Sequence, residues 1–113
     1  GIVNPDSAKA IARHELLCSL DDVIREASRC LKSKGKMYMV HRPNRLVDIF
    51  DTMRKYHLEP KRMRLVYPYV NKAANMVLIE AVKGGNSQLI VEEPLIVYKT
   101  DGIYTDALLK MYE

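Results

Sequence analysis

Along this chain, apolar residues recur first at helical spacing, then in a short unbroken run, then at helical spacing again, before giving way to strand-like patterns. Leu20, Val23, Ile24, Ala27 and Leu31 fall on one face of a helix, with Arg25, Glu26 and Arg29 opposite. Ser19 with Asp22 three residues on approximates a capping box at its start. Lys32-Ser33-Lys34-Gly35 closes it, with cations for the helix dipole and a glycine for a left-handed cap. The run from Met37 to Val40 predicts a strand over Lys36–His41, and its position between two amphipathic helices predicts that it is buried and parallel to its successor. Pro43 stops it. Leu46, Ile49, Phe50, Met53 and His57 then share a helical stripe over about 45–57, leaving Asp48, Asp51, Arg54 and Lys55 to solvent.

After Glu59-Pro60, residues Arg62 to Tyr67 alternate, as a half-covered or near-edge strand would. The loop Pro68–Ala74 is too short for a crossover helix, so the nearly all-apolar run Asn75–Val82 is expected to return antiparallel. Its apolar character suggests that it slots between the two earlier strands, covered on both faces. Gly84-Gly85-Asn86 turns the chain into two short β-like runs, Leu89–Val91 and Leu95–Tyr98. Asp101-Gly102 turns it again, and Thr105 caps a last helix through Leu108, Leu109 and Tyr112. At the amino end, GIVNPD is loop-like, and Asp6 or Ser7 can cap a helical stretch reading AKAIARHELL. The order helix, strand, helix, strand, strand makes this an α/β chain, one half of a doubly wound sheet whose last hairpin is antiparallel. Residues 1–113 form one partial domain, with 86–113 as a packing extension. In open α/β sheets ligands collect beyond the carboxyl ends of the strands, which here means the turn His41-Arg42-Pro43-Asn44-Arg45.

Composition narrows this only a little. With 48% hydrophobic and 28% charged residues among 113, the chain is globular rather than disordered, and it can bury one modest core. A net charge of +4 permits a nucleic-acid partner without requiring one. Cys18 and Cys30 lie about 18 Å apart if one helix carries both, too far to bridge. Neither belongs to a CxxC pair, so a reducing, cytoplasmic setting is expected, and no apolar run is long enough for a membrane span. The histidines at 14, 41 and 57 have no metal-ligand spacing, so no metal site is expected.

The words IARHE, HRPNRL, RKYHLEPKR and the closing VYKTDGIYT carry a resemblance. Together they resemble the bacterial class I S-adenosylmethionine-dependent methyltransferases that modify an anticodon-loop adenine of a valine tRNA, and the likeness runs from Ile11 nearly to the end. It implies S-adenosylmethionine as cofactor, tRNA as partner and methyl transfer to the exocyclic amine of adenine, chiefly by positioning. It also implies that half of the domain lies outside this chain. The family's glycine-rich cofactor turn, the acidic residue after its second strand and its Asn-Pro-Pro-aromatic catalytic turn have no counterpart here. Asn4-Pro5 is followed by Asp6 and Ser7. The chain alone is therefore expected to be inactive, with no catalytic or cofactor-binding residue of its own. Its partners would be tRNA and the missing amino-terminal half, with self-association through the exposed sheet edge as a further possibility.

Candidate substrate-binding residues follow from both readings. By resemblance, Arg13 and His14 come shortly after the catalytic turn, where Arg13 would fix the loop or meet a phosphate. His41, Arg42 and Arg45 lie at the carboxyl end of the first strand, and a guanidinium there matches phosphate geometry. Against this, Arg45 can be an ordinary helix-start residue and His41 a satisfied structural histidine. A second basic group comprises Lys55, Lys61, Arg62 and Arg64, with Tyr67, Tyr69 and Lys72 nearby in sequence, cations interleaved with aromatics as unpaired bases would require. Arg62 and Arg64 share one strand face and could equally be its solvated side. Two alternatives remain open at this point: a methyltransferase-like fragment for another substrate, and a basic RNA-binding module without chemistry.

Overall fold

A computed structural model describes residues 19–100 and 103–111. The first helical stretch, with Arg13, His14 and Cys18, and the Asn4-Pro5 turn lie outside the described residues. The elements are α1 (Leu20–Cys30), β1 (Lys36–His41), a 3-10 turn (Pro43–Arg45), α2 (Leu46–Lys55), β2 (Leu58–Tyr67) and β3 (Met76–Lys83). The short strands β4 (Ile90–Val91), β5 (Leu95–Ile96), β6 (Tyr98–Thr100) and β7 (Ile103–Tyr104) follow, and then α3 (Asp106–Lys110).

The capping box at α1 forms as expected. Asp22 N–H donates to Ser19 Oγ at 3.1 Å, and Ser19 N–H donates to Asp22 Oδ2 at 3.2 Å. The other end differs from expectation. Lys34, not Gly35, takes the left-handed conformation, with φ 69°. Gly35 serves close approach instead, since a Cβ there would stand 2.9 Å from the Lys32 carbonyl oxygen. The last carbonyls of α1 are met from the sheet: Lys83 Nζ donates to Ser28 O at 2.5 Å and to Leu31 O at 2.7 Å.

β3 lies between β1 and β2 and runs antiparallel to both, so β1 and β2 are parallel. The insertion of the last strand between the earlier two is as expected from its composition. Its cover is not symmetric. Val77, Ile79 and Ala81 are buried beneath the helices and pack with Ile24, Ile49, Met53, Leu58 and Met63. The opposite face of β3 is only half-buried. β1 departs further from the buried strand expected. Among the described residues it pairs only with β3, and Tyr38 and Val40 are 69% and 54% exposed. Both helices stand on one side, and no described element covers the other side of β1. Helical and strand patterns merge near residue 57, where α2 ends two residues earlier than its stripe suggests. His57 is exposed at φ 63° and turns the chain into β2. Pro60 is a strand residue, tolerated beside a register shift between Pro60 and Arg62.

The tail builds on the far edge of β2. β4 and β5 both pair with it in parallel, through Arg62↔Ile90, Met63↔Val91, Val66↔Leu95 and Tyr67↔Ile96. β6 and β7 pair antiparallel through Tyr98↔Tyr104 and Thr100↔Ile103, the turn expected at Asp101-Gly102 lies outside the described residues, and Thr105 caps α3 by accepting from Leu108 N–H.

Candidate functional site

Because β1 and β2 are parallel, their carboxyl ends share one edge of the sheet. His41 faces Val77, which faces Leu65, so β2 extends about 7 Å beyond the end of β1. Beyond β1 comes His41-Arg42-Pro43-Asn44-Arg45, and beyond β2 the loop from Pro68 to Asn75. The two strands flank β3, which puts their backbones about 10 Å apart. Across 41–47 and 67–75 the sequence holds Arg42, Arg45 and Lys72 and no acidic residue.

Arg42 is exposed and ends the strand, its N–H donating to His41 Nδ1 at 2.8 Å. That bond occupies one imidazole nitrogen as an acceptor, in keeping with a structural histidine. Arg45 is half-buried, and its Nε donates to Asp48 Oδ2 at 3.2 Å. Lys72 is exposed in the β2–β3 loop, whose shape is held by Lys72 N–H donating to Tyr69 O at 3.1 Å and by Asn75 N–H donating to Val66 O at 2.9 Å. His41, Arg42, Arg45 and Lys72 are thus gathered at one end of the sheet, while Arg13 and His14 lie outside the described residues.

The second basic group does not gather there. Lys55 Nζ bonds Asp21 at 2.9 Å, and Lys61 Nζ donates to the Asn86 and Ser87 carbonyls. Arg62 and Arg64 each reach one oxygen of Glu92 at 2.8 Å. Both guanidiniums hold the Glu92 carboxyl below its ordinary range, and Arg62 is raised in turn. Likewise the Tyr56 hydroxyl, with Lys55, lowers Asp21. These cations fasten the fold.

Two partners escaped the sequence reading. Ser28 is buried and donates to Tyr56 O at 2.6 Å, on a helix face where only apolar residues had drawn notice. Tyr69, Tyr98 and Tyr104 form a line of rings with centroids 5.4 and 5.2 Å apart. The recurrence of Tyr at 67, 69, 98 and 104 was visible in the sequence, but its convergence needs the tail's pairing with β2.

The described residues do not fit an S-adenosylmethionine pocket. Gly35, Gly84 and Gly85 all stand at the opposite end of the sheet, before β1 and after β3, and no glycine-rich turn meets the carboxyl edge. Nor does any group of His, Cys, Asp and Glu among the described residues suit a metal ion. No helix among them is long and apolar enough to cross a membrane.

No family model matches this sequence, and no curated protein matches it. Among solved structures, it is similar to one described as a predicted O-methyltransferase, protein Atu636 from Agrobacterium tumefaciens. The TM-score is 0.73 at 25% identity, over 81% of this chain and 44% of that one. The chain carries part of a methyltransferase fold. It spans less than half the length of that neighbour, and among the described residues β1 pairs with β3 alone.

Proposed function

We propose that this chain is the carboxyl-terminal half of an S-adenosylmethionine-dependent methyltransferase acting on the exocyclic amine of a tRNA adenine. The observation that carries the reading is the edge beyond β1 and β2, where Arg42 and Lys72 stand exposed in loops without an acid of their own, beside Arg45 paired to Asp48, at the end at which open α/β sheets take their ligands. The words HRPNRL and RKYHLEPKR support the tRNA substrate. The missing half would pair with the free edge of β1, cover Tyr38 and Val40, and bring the cofactor pocket and catalytic turn. The residues of this chain would bind and orient RNA phosphate rather than move protons, and the chain alone is inactive. An unmated β1 edge would otherwise pair with a second copy.

The neighbour's description as a predicted O-methyltransferase favours a second reading, in which the acceptor is an oxygen of another molecule. One experiment separates the two. The complete reading frame is incubated with labelled S-adenosylmethionine and unmodified bulk tRNA, the RNA is digested, and the labelled nucleoside is identified. Label in methylated adenosine, from the long protein only, is the expected result. A long protein that binds the cofactor but leaves tRNA unlabelled would overturn the substrate assignment.

A further inference from the structure

The tail does more than pack. Val97 N–H donates to Tyr67 O at 2.8 Å and Tyr98 N–H to Pro68 O at 2.9 Å, which carries the last β-hairpin to the carboxyl end of β2. Thr105 ties the hairpin back, its N–H donating to Val97 O at 2.8 Å and its hydroxyl to Ile96 O. The consequence is a ring series from two distant segments. Tyr98 is the middle ring, 5.4 Å from Tyr69 with planes inclined 30° and 5.2 Å from Tyr104 with planes inclined 21°. Tyr104, at the outer end, is 48% exposed. Beside the rings lie Val70, 77% exposed, and Lys72 in the same loop.

We infer that this tyrosine series is a stacking platform for an unpaired base of a single-stranded RNA segment. The inference rests on the reading that RNA is the substrate, and it names the part of the RNA that the tail would hold. Tyr104 stacks on Tyr98 while Tyr69 is tilted against it, so the half-exposed Tyr104 ring is the one that could offer an outer π-face, and every base can stack on such a face whatever its sequence. At its Tyr69 end the series meets a loop whose charge has the sign that RNA needs, and at its Tyr104 end Lys99 pairs with Asp106 at 3.7 Å. The loop 67–75 carries Lys72 and no acid, and the neighbouring turn carries Arg42 and Arg45. A base laid on Tyr104 would extend the series by one ring while its phosphates run along the cationic edge. Tyr98 and Tyr104 of the tail would then be substrate-contacting residues in their own right.

The test uses the complete reading frame and fluorescein-labelled oligo(rA), with an oligomer of the same length lacking its bases as a second probe, both read by anisotropy. Tyr104→Ala is expected to weaken oligo(rA) binding by about 5- to 150-fold, the usual effect of removing one stacking aromatic, and to leave the base-free oligomer unchanged. Tyr104→Phe, which keeps the ring, should bind as the unaltered protein does, and circular dichroism checks that both variants fold. Equal affinity of Tyr104→Ala and the unaltered protein for oligo(rA) would overturn the inference. So would equal loss with both probes. Oligo(rA) binding that depends on Tyr104 in a protein that never labels RNA would remove the methylation reading and leave the platform standing. Labelled tRNA with binding indifferent to Tyr104 would do the reverse.

Discussion

Tyr38 offers the sharpest test of whether a further half-domain covers this sheet. Its side chain stands 69% exposed on the face away from the helices, in a row with Glu80 and Arg62. A tyrosine buries on the order of 200 Å² when fully enclosed, so roughly 140 Å² remains to be covered, worth about 3 kcal/mol at ~25 cal/mol per Å². Val40, 54% exposed on the same face, would add about 1 kcal/mol on the same basis. Tyr38→Ala should therefore cost the 113-residue chain less than about 0.5 kcal/mol, as an exposed substitution does. In the complete protein it should cost about 3 kcal/mol. Urea denaturation of both lengths, followed by circular dichroism, gives the two differences from the shift in midpoint at constant slope. Equal small losses in both proteins would mean that this face stays open, and would refute the covered-sheet reasoning.

Ile49 is fully buried between α2 and the sheet, so Ile49→Ala should destabilise the chain by about 2–5 kcal/mol and Ile49→Val by about 1, read by the same urea titration. Glu92 is held below its ordinary range by Arg62 and Arg64, so its ionised form stabilises the fold. That contribution is complete above the ordinary glutamate pKa of about 4.3 and is lost as pH falls through the lowered native value. Hydrogen exchange over 86–96 should accelerate below that point, and Glu92→Gln should accelerate it at neutral pH and flatten the acid dependence. If the carboxyl edge holds RNA phosphate, Arg42→Ala and Lys72→Ala should each reduce the salt slope of tRNA binding by the complete protein by about 1 and weaken all RNA sequences alike, as a filter-binding salt series would show.

Periodicity was enough to locate the two helices, the three long strands and the insertion of the last strand between the others. Those follow from the local alternation of apolar and polar residues, together with a connection too short for a crossover. What periodicity could not supply is which faces are covered. Met37 to Val40 reads as buried because it is apolar, yet an apolar strand and a covered strand become the same thing only when the covering layer is present. The same limit applies to the cations. Arg62, Arg64 and Lys55 read as candidate phosphate contacts until Glu92 and Asp21, 28 to 34 residues away in sequence, are seen to hold them. Arg42 and Lys72 stay available because no acid sits in their own loops, a feature that the sequence does display. His57 misled for a different reason: its spacing matches the α2 stripe, but the chain needs a left-handed residue there to leave the helix.

The open face of the sheet is neither a solvent surface nor a finished core. It mixes Tyr38, Val40 and Leu78 with Arg62, Arg64, Glu80 and Glu92 around a shallow concavity of about 300 Å³. Covering lone charges with an apolar layer costs several kcal/mol each, whereas charges already paired and hydrogen-bonded can be enclosed at far lower cost. Here the pairing is already in place, because Glu92 spans both arginines and Lys36 reaches Glu80 at 3.6 Å. Glu92 comes from the tail, so the segment that pairs with β2 also pairs the charges of the neighbouring face, the one that the proposed half-domain would cover. If the proposed half-domain covers this face, losing Glu92 would leave two guanidiniums beneath it, and Glu92→Gln should destabilise the complete protein more than the isolated chain. A larger loss in the isolated chain would place the tail's contribution at the β2 edge alone.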